Sequence, residues 1–92
     1  MVFDGSTSST AVSETYNIES DIISYSIANK SGGAITAKVG LVYGSAITYI
    51  LYDEALSSGE TFIYPGERIR LRPNYRIFVE VSGSADFYFT LE

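Results

Sequence analysis

Apolar and polar residues alternate along most of this sequence with a period of two. In residues 75–81 (YRIFVEV), for example, Tyr75, Ile77, Val79 and Val81 fall on one side of an extended chain. Alternation of this kind is typical of a strand with one buried face, because successive side chains of a strand point to opposite faces. No segment has a helical period of 3.6 that competes with it. The pattern therefore predicts an all-β protein.

Turn residues separate these alternating segments at short intervals. They are the NKSGG run of residues 29–33, Gly44-Ser45, Pro73-Asn74 and Ser82-Gly83-Ser84. About seven or eight strands at such spacing predict a single antiparallel β-sandwich of jelly-roll or immunoglobulin-like type. A small barrel is the alternative, because both architectures give alternating strands and hairpin turns. The further inward positions are Ile23, Tyr25, Ile27, Ile35, Ala37, Val39, Leu41, Tyr43, Ile69, Leu71, Phe87, Phe89 and Leu91.

One segment, AITYILY at residues 46–52, is apolar on both faces. Ile47, Tyr49 and Leu51 share one face, and they are opposed by Ile50 and Tyr52. A strand that is apolar on both sides predicts either a central strand or one that a neighbouring subunit covers.

The start of the chain differs from the rest in composition. DGSTSSTAVSET, at residues 4–15, consists mainly of Ser, Thr and other polar residues and has almost nothing apolar to anchor it. We therefore expect residues 1–14 to form a flexible arm and residues 15–92 to form the β-sandwich domain. A chain of 92 residues closes only one small core, so we also expect copies of the chain to associate as a homo-dimer or homo-trimer.

Composition excludes several kinds of chemistry. The absence of Cys and His removes the usual nucleophile, general base and transition-metal ligands, so we expect no enzyme, catalytic residue, cofactor or metal site. A net charge of −5 disfavours nucleic-acid binding. No basic, apolar leader and no apolar run of about 20 residues is present, which predicts neither export nor membrane insertion.

Four of the six basic residues lie within nine positions: Arg68, Arg70, Arg72 and Arg76. Three of them alternate with the inward Ile69 and Leu71, so they would project from one side of a strand. Such a ladder can bind an acidic protein or a phosphate, since guanidinium groups bind both bidentately. Alternatively, the ladder is a solvated face whose charges pair with Glu67, Glu80 or Asp86 of the same chain. The sequence leaves these interpretations open.

Aromatic residues are also abundant, with eight Tyr and five Phe. Four of them, Tyr52, Tyr64, Phe78 and Tyr88, lie opposite the predicted core positions. Either a second layer covers them or they form an interface, for which Tyr is well suited. We predict that these four and the four arginines bind a partner. A platform for sugar rings is a third possibility for the tyrosines.

The order of the elements carries a resemblance. ISYSIANKSGGAITAKVGLVYGSAITYIL is followed by LSSGETFIYPGERIRLRPNYRIFVEVSGSADFYFTLE, together about residues 20–91. This order resembles small all-β virion proteins encoded in the structural-gene regions of tailed bacteriophages. In those proteins a strand ending in Asn-Lys/Thr-Ser leads into a hairpin, and aGE, ERI.L.P and V..SG.ADF follow. This chain has Pro73-Asn74 where Pro-Gly is more usual.

The resemblance implies a structural protein of a virion that is made in the host cytoplasm. The implied protein is a decoration (cement) protein that binds the outside of the major capsid protein lattice and stabilises it. A neck, tail or fibre component is the alternative within the same class. A carbohydrate-binding or receptor-binding β-sandwich module is the alternative outside that class.

Overall fold

The computed structural model of the chain describes residues 1–16 and 19–92. Positions 17 and 18, which fall in the expected domain 15–92, are outside the described residues. The described ranges contain no helix, and every pairing between their strands is antiparallel. The strands are β1 (Val2–Thr7), β2 (Thr10–Val12), β3 (Ser20–Asn29), β4 (Ile35–Tyr43), β5 (Ala46–Leu56), β6 (Thr61–Ile63), β7 (Ile69–Leu71), β8 (Arg76–Val81) and β9 (Ala85–Leu91). The predicted all-β class is confirmed.

These strands form two sheets. The five-stranded sheet has the order β1-β9-β3-β6, and β7 pairs with the beginning of β3 on the same side as β6. The four-stranded sheet has the order β2-β8-β4-β5. Buried side chains from both sheets form one core cluster, so the architecture is sandwich-like.

The two sheets contribute different side chains to this core. The five-stranded sheet supplies aromatic rings, among which Tyr25 stacks on Phe89 with ring centroids 4.8 Å apart. The four-stranded sheet supplies smaller aliphatic residues, including the fully buried Ala37, Val39 and Val79. Large rings on one layer therefore pack against smaller side chains on the other.

The flexible N-terminal arm is not confirmed. Most of residues 1–14 lie in strands, since β1 pairs with β9 along its whole length and β2 pairs with β8. The ring of Phe3 packs 4.9 Å from that of Phe87 and 5.7 Å from that of Phe89. A polar sequence suffices for β1 because its outer face meets solvent and its backbone bonds are made at a sheet edge.

Strand β5 lies at an edge of the four-stranded sheet. A central position was one of the two alternatives that the sequence predicted for this strand. Two irregularities interrupt its pairing with β4, and Asp53 has a φ of 51°. These bulges change which residues face the core, so Leu51 is opposite Val39 while Tyr49 is opposite Gly40 on the outside. Bulges on an edge strand also hinder further strand pairing.

A buried asparagine connects the two sheets. Asn29, at the end of β3, donates from Nδ2 to the carbonyls of Gly33, Leu56 and Ser57 at 2.8, 3.0 and 3.0 Å. Its Oδ1 accepts bonds from the amide and the hydroxyl of Ser31 at 2.9 and 2.8 Å. Since Leu56 ends β5, this side chain fixes the NKSGG turn and joins the layers.

Candidate functional site

The outer face of the four-stranded sheet carries a row of apolar residues. Strand register places Val12, Phe78, Gly40 and Tyr49 side by side across all four strands. Residues that are opposite in antiparallel strands share a face. Because Val12 and Tyr49 are exposed, Phe78 and Gly40 lie with them on the solvent side of the sheet. Ile47 and Tyr52 extend this surface along β5. Val12, Ile47, Tyr49 and Tyr52 are 44, 41, 39 and 62% exposed. We call these six residues the apolar row.

Gly40 has no side chain, and this allows neighbouring side chains of the apolar row to lie directly against its backbone. A Cβ atom at position 40 would lie 2.6 Å from Cγ2 of Ile47 and 3.5 Å from the Tyr49 ring. The side chains of Ile47 and Tyr49 therefore lean over the backbone of β4, and a larger residue at position 40 would displace them. The ring of Tyr49 also meets that of Tyr52 edge-on at 5.0 Å.

Charged residues flank the apolar row on both sides. Arg76 and Glu80 lie on β8, two positions before and two positions after Phe78, so all three share the outer face. Within the described residues neither Arg76 nor Glu80 forms an ion pair, and Nε of Arg76 reaches only the carbonyl of Ser13 at 3.5 Å. Lys38, by contrast, lies 3.5 Å from Asp53 and 4.8 Å above the ring of Tyr52.

On the five-stranded sheet the arginines pair with carboxylates of the same chain. Asp21 is opposite Arg70 in the β3–β7 register, and its Oδ1 accepts a bond from Nε of Arg70 at 2.8 Å. Arg70 also bonds Glu19 at 2.5 Å. Arg68 donates to Glu92 at 2.6 Å and lies 3.5 Å from Asp21. Hydrogen bonds to Glu92 and Asp21 raise the pKa of Arg68, and bonds to Asp21 raise that of Arg70.

The arginine ladder is thus not one surface. Arg70 lies on β7 of the five-stranded sheet and Arg68 directly precedes that strand, while Arg76 begins β8 of the four-stranded sheet. The partners within the chain are Asp21, Glu19 and Glu92, whereas the sequence had suggested Glu67, Glu80 or Asp86. Arg72 follows β7, is exposed and forms no ion pair within residues 1–16 and 19–92.

A shallow groove lies on the outer face of the five-stranded sheet. It has a volume of about 330 Å³ and is lined by Asp4, Ser26, Asp86 and Tyr88 among others. The ring of Tyr88 is 49% exposed there. Asp86 accepts hydrogen bonds from Lys30, at 2.8 Å, and from the hydroxyl of Ser6, and these bonds lower its pKa.

The four predicted partner-binding aromatics also separate. Tyr52 and Phe78 lie in the apolar row, and Tyr88 lines the groove on the opposite sheet. Tyr64 instead covers the core, since its ring stacks on that of Tyr25 at 5.0 Å and it is half-buried. The prediction had the phase of this segment wrong, since Phe62 and Tyr64 both pack against the core and Ile63 between them is 69% exposed.

Sequence reasoning missed Val12 as a surface residue, because it was assigned to the arm. The segment at residues 46–52 gave the signal for the rest of the apolar row, since it is apolar on both faces. What the sequence lacked was the register that brings Phe78 of β8 and Tyr49 of β5 to the two sides of Gly40.

No protein-family model matches this chain, and the comparison with curated proteins finds no match. Among the described residues no group of three His, Cys, Asp or Glu side chains is arranged to hold a metal ion. No helix in the described part of the chain is long and apolar enough to cross a membrane.

Proposed function

We propose that this chain is a structural protein of a virion, and specifically a decoration protein that binds the outside of a capsid lattice and stabilises it. The proposal joins the resemblance to small all-β virion proteins of tailed bacteriophages with a sandwich-like fold. A topology of jelly-roll or immunoglobulin-like type is part of the same proposal. A place in the neck, tail or fibre is the alternative within this class.

The observation that carries the proposal is the apolar row. Its six members lie on the outside of a sheet, where a protein that acts alone usually presents polar side chains. A contiguous exposed apolar surface that includes aromatic rings, with charges around it, has the composition of a protein interface. Assembly with virion proteins, including copies of itself, supplies the covering partner.

The decisive experiment adds the purified chain to shells that lack it, from the phage that encodes it. We expect the chain to sediment with the shells in a fixed ratio and to raise their melting temperature, because a ligand stabilises the state that it binds. Quantitative mass spectrometry of purified particles should find many copies per particle. A chain that neither sediments with shells nor occurs in particles contradicts the proposal.

A second candidate function is carbohydrate binding at the groove that contains Tyr88. An exposed phenol ring can stack on a sugar ring, and the nearby carboxylate of Asp4 and hydroxyl of Ser26 can bond sugar hydroxyls. A glycan array separates the two functions. Binding that Tyr88→Ala abolishes and Tyr52→Ala preserves favours the carbohydrate function, and silence on a broad array excludes it.

A further inference from the structure

The apolar row and the charges beside it are complementary to the same surface on a second copy of the chain. Along β8 the outward residues are Arg76, Phe78 and Glu80 in that order. Alternate residues of a strand lie about 6.6 to 7 Å apart, so a positive and a negative group lie at equal distances on the two sides of Phe78. A second copy that is turned over about this centre presents the opposite order of charges.

We propose that the outer face of the four-stranded sheet binds the same face of a second copy, around a two-fold axis that runs along the apolar row. The axis crosses the strands through the level of Val12, Phe78, Gly40 and Tyr49. This inference deepens the proposed function, because it names the partner that covers the assembly surface.

The proposed axis brings opposite charges together. It places Arg76 of one copy over Glu80 of the second copy, and Glu80 over Arg76, which gives two identical ion pairs as an isologous interface requires. Neither residue forms an ion pair within 4.0 Å in the described chain. Glu80 is opposite Lys38 of β4, whose ammonium pairs with Asp53. Charge pairs that flank an apolar centre fix the register of an interface and exclude other arrangements.

The apolar residues also find suitable contacts in this arrangement. Phe78 and Tyr49 meet their own counterparts near the axis, and Ile47 of one copy faces Tyr52 of the second copy. Lys38 lies over Val42 of the second copy and keeps Asp53 as its partner in its own chain. The strands of the two copies remain aligned, as they do when sheets pack face to face at about 10 Å.

The other face-to-face arrangement has its two-fold axis along the strands, between β8 and β4. That axis would place Arg76 over Val42 of the second copy and would leave the guanidinium without a carboxylate. It would also place Glu80 over Lys38, which already has Asp53. A charge that is buried against an apolar residue without an ion-pair partner is costly, and Arg76 would be such a charge here, whereas Lys38 keeps Asp53 in the first arrangement. The axis across the strands is therefore favoured.

A charge exchange tests the interface in the full chain by sedimentation equilibrium. We expect the wild type to be a dimer, with twice the monomer mass of 10.1 kDa, and its dissociation to increase with salt. Arg76→Glu and Glu80→Arg, each alone, should raise the dissociation constant at least about tenfold, because each places like charges opposite one another. The double variant should recover affinity close to that of the wild type.

Two further variants keep the test independent of folding. Ile47→Thr with Tyr49→Thr should abolish the dimer, because Thr retains a high preference for strands and leaves the fold intact. Ile63→Thr is the matched control, since Ile63 is 69% exposed on the outer face of the other sheet. Circular dichroism and thermal melting establish that every variant is folded.

The possible outcomes separate the interface from the proposed function. A wild type that is monomeric up to about 1 mM overturns the interface, and so does a dimer whose charge exchange brings no recovery or that Ile63→Thr dissociates. A monomer that still sediments with shells overturns the interface and keeps the virion role. A dimer with the predicted variant behaviour supports the interface, whether or not it binds shells.

Discussion

The outer faces of the two sheets differ in how their charged side chains are paired. On the five-stranded sheet, charged residues pair within the chain, as Arg70 does with Asp21 and Lys30 does with Asp86. On the four-stranded sheet, Arg76 and Glu80 have no such partner in the described chain and lie beside an exposed apolar row. On the first face most of the charged side chains pair within the chain, while on the second face two charged side chains without ion pairs flank a contiguous apolar surface.

Charges that are adjacent in sequence need not act together in this fold. Arg70 and Arg76 are six positions apart, but the turn at Pro73-Asn74 carries the chain from one sheet to the other between them. Asn74 has a φ of 71°, a conformation that Asn tolerates better than most residues. The turn therefore divides a single basic run between an internal ion-pair network and a residue, Arg76, that lies beside the apolar row.

The largest expected effect on stability comes from Asn29, whose side chain joins the two sheets. Asn29→Ala removes the donor to three carbonyls, one of them on β5 of the opposite sheet, and the acceptor for Ser31. We expect a loss of about 3 kcal/mol in the free energy of unfolding, measured with urea, because buried groups lose their partners. Ser31→Ala is the matched control and should cost about 1 kcal/mol. Equal losses would contradict the role of Asn29.

The next largest effect concerns the edge of the five-stranded sheet. Phe3→Ala should lower the free energy of unfolding by about 2 kcal/mol, because the half-buried ring leaves Phe87 and Phe89. Val2→Ala, on the exposed side of the same strand, should cost less than about 0.5 kcal/mol. If both variants match the wild type in urea denaturation, the first residues form the flexible arm that their composition suggested.

Sequence alone predicted the core of the regular strands well. Most inward positions predicted on β4, β8 and β9, such as Val39, Val79 and Phe89, are buried because unbroken alternation determines which residues face inward. Tyr43, at the end of β4, was predicted inward but is 55% exposed. The prediction failed at bulges. In β3 a register shift between Ile22 and Ser24 buries Ile22 fully and Ile23 only in part. Alternation cannot locate an inserted residue, since the pattern looks similar on both sides of it.

The candidate site was less predictable than the core, for a related reason. Arg70 meets Asp21 across 49 positions of sequence, and Phe78 meets Tyr49 only through Gly40 of an intervening strand. Both relations depend on strand order and register, which are set by the packing of the two sheets as a whole. Local composition indicated which residues had unusual chemistry, but it did not indicate which of them would be neighbours.

A smaller effect on stability is expected at high pH, from the buried Tyr25 on the inner face of the five-stranded sheet. Burial, followed by the nearby Tyr64 and Glu54, raises the pKa of Tyr25 to about 12 from the model-compound value of 10.0. Because the folded protein disfavours the phenolate, this contribution to stability is complete below pH 10 and is lost as the pH rises towards about 12. Burial also raises the pKa of Tyr16. Absorbance titration of the tyrosines should therefore show late steps, and Tyr25→Phe should remove the one near pH 12.

The control for that titration is Tyr88→Phe, which removes an exposed phenol and should leave the late steps unchanged. At neutral pH we also expect Tyr25→Phe to be as stable as the wild type or more so, since the buried Tyr25 hydroxyl has no hydrogen-bond partner among the described residues. A clear loss of stability in Tyr25→Phe would show that the hydroxyl is bonded.

The smallest expected effect tests whether the outer charges of the five-stranded sheet are paired as the geometry indicates. Asp21→Asn removes the carboxylate that Arg68 and Arg70 share. Because both arginines are more than half exposed, water screens these pairs, and the loss of stability should be below that of Phe3→Ala. The loss should shrink as salt is added. Glu67→Gln is the matched control in the same segment, because Glu67 forms no ion pair with any described residue. If Glu67→Gln costs as much as Asp21→Asn, the pairing on this face is different, and the contrast between the two outer faces fails with it.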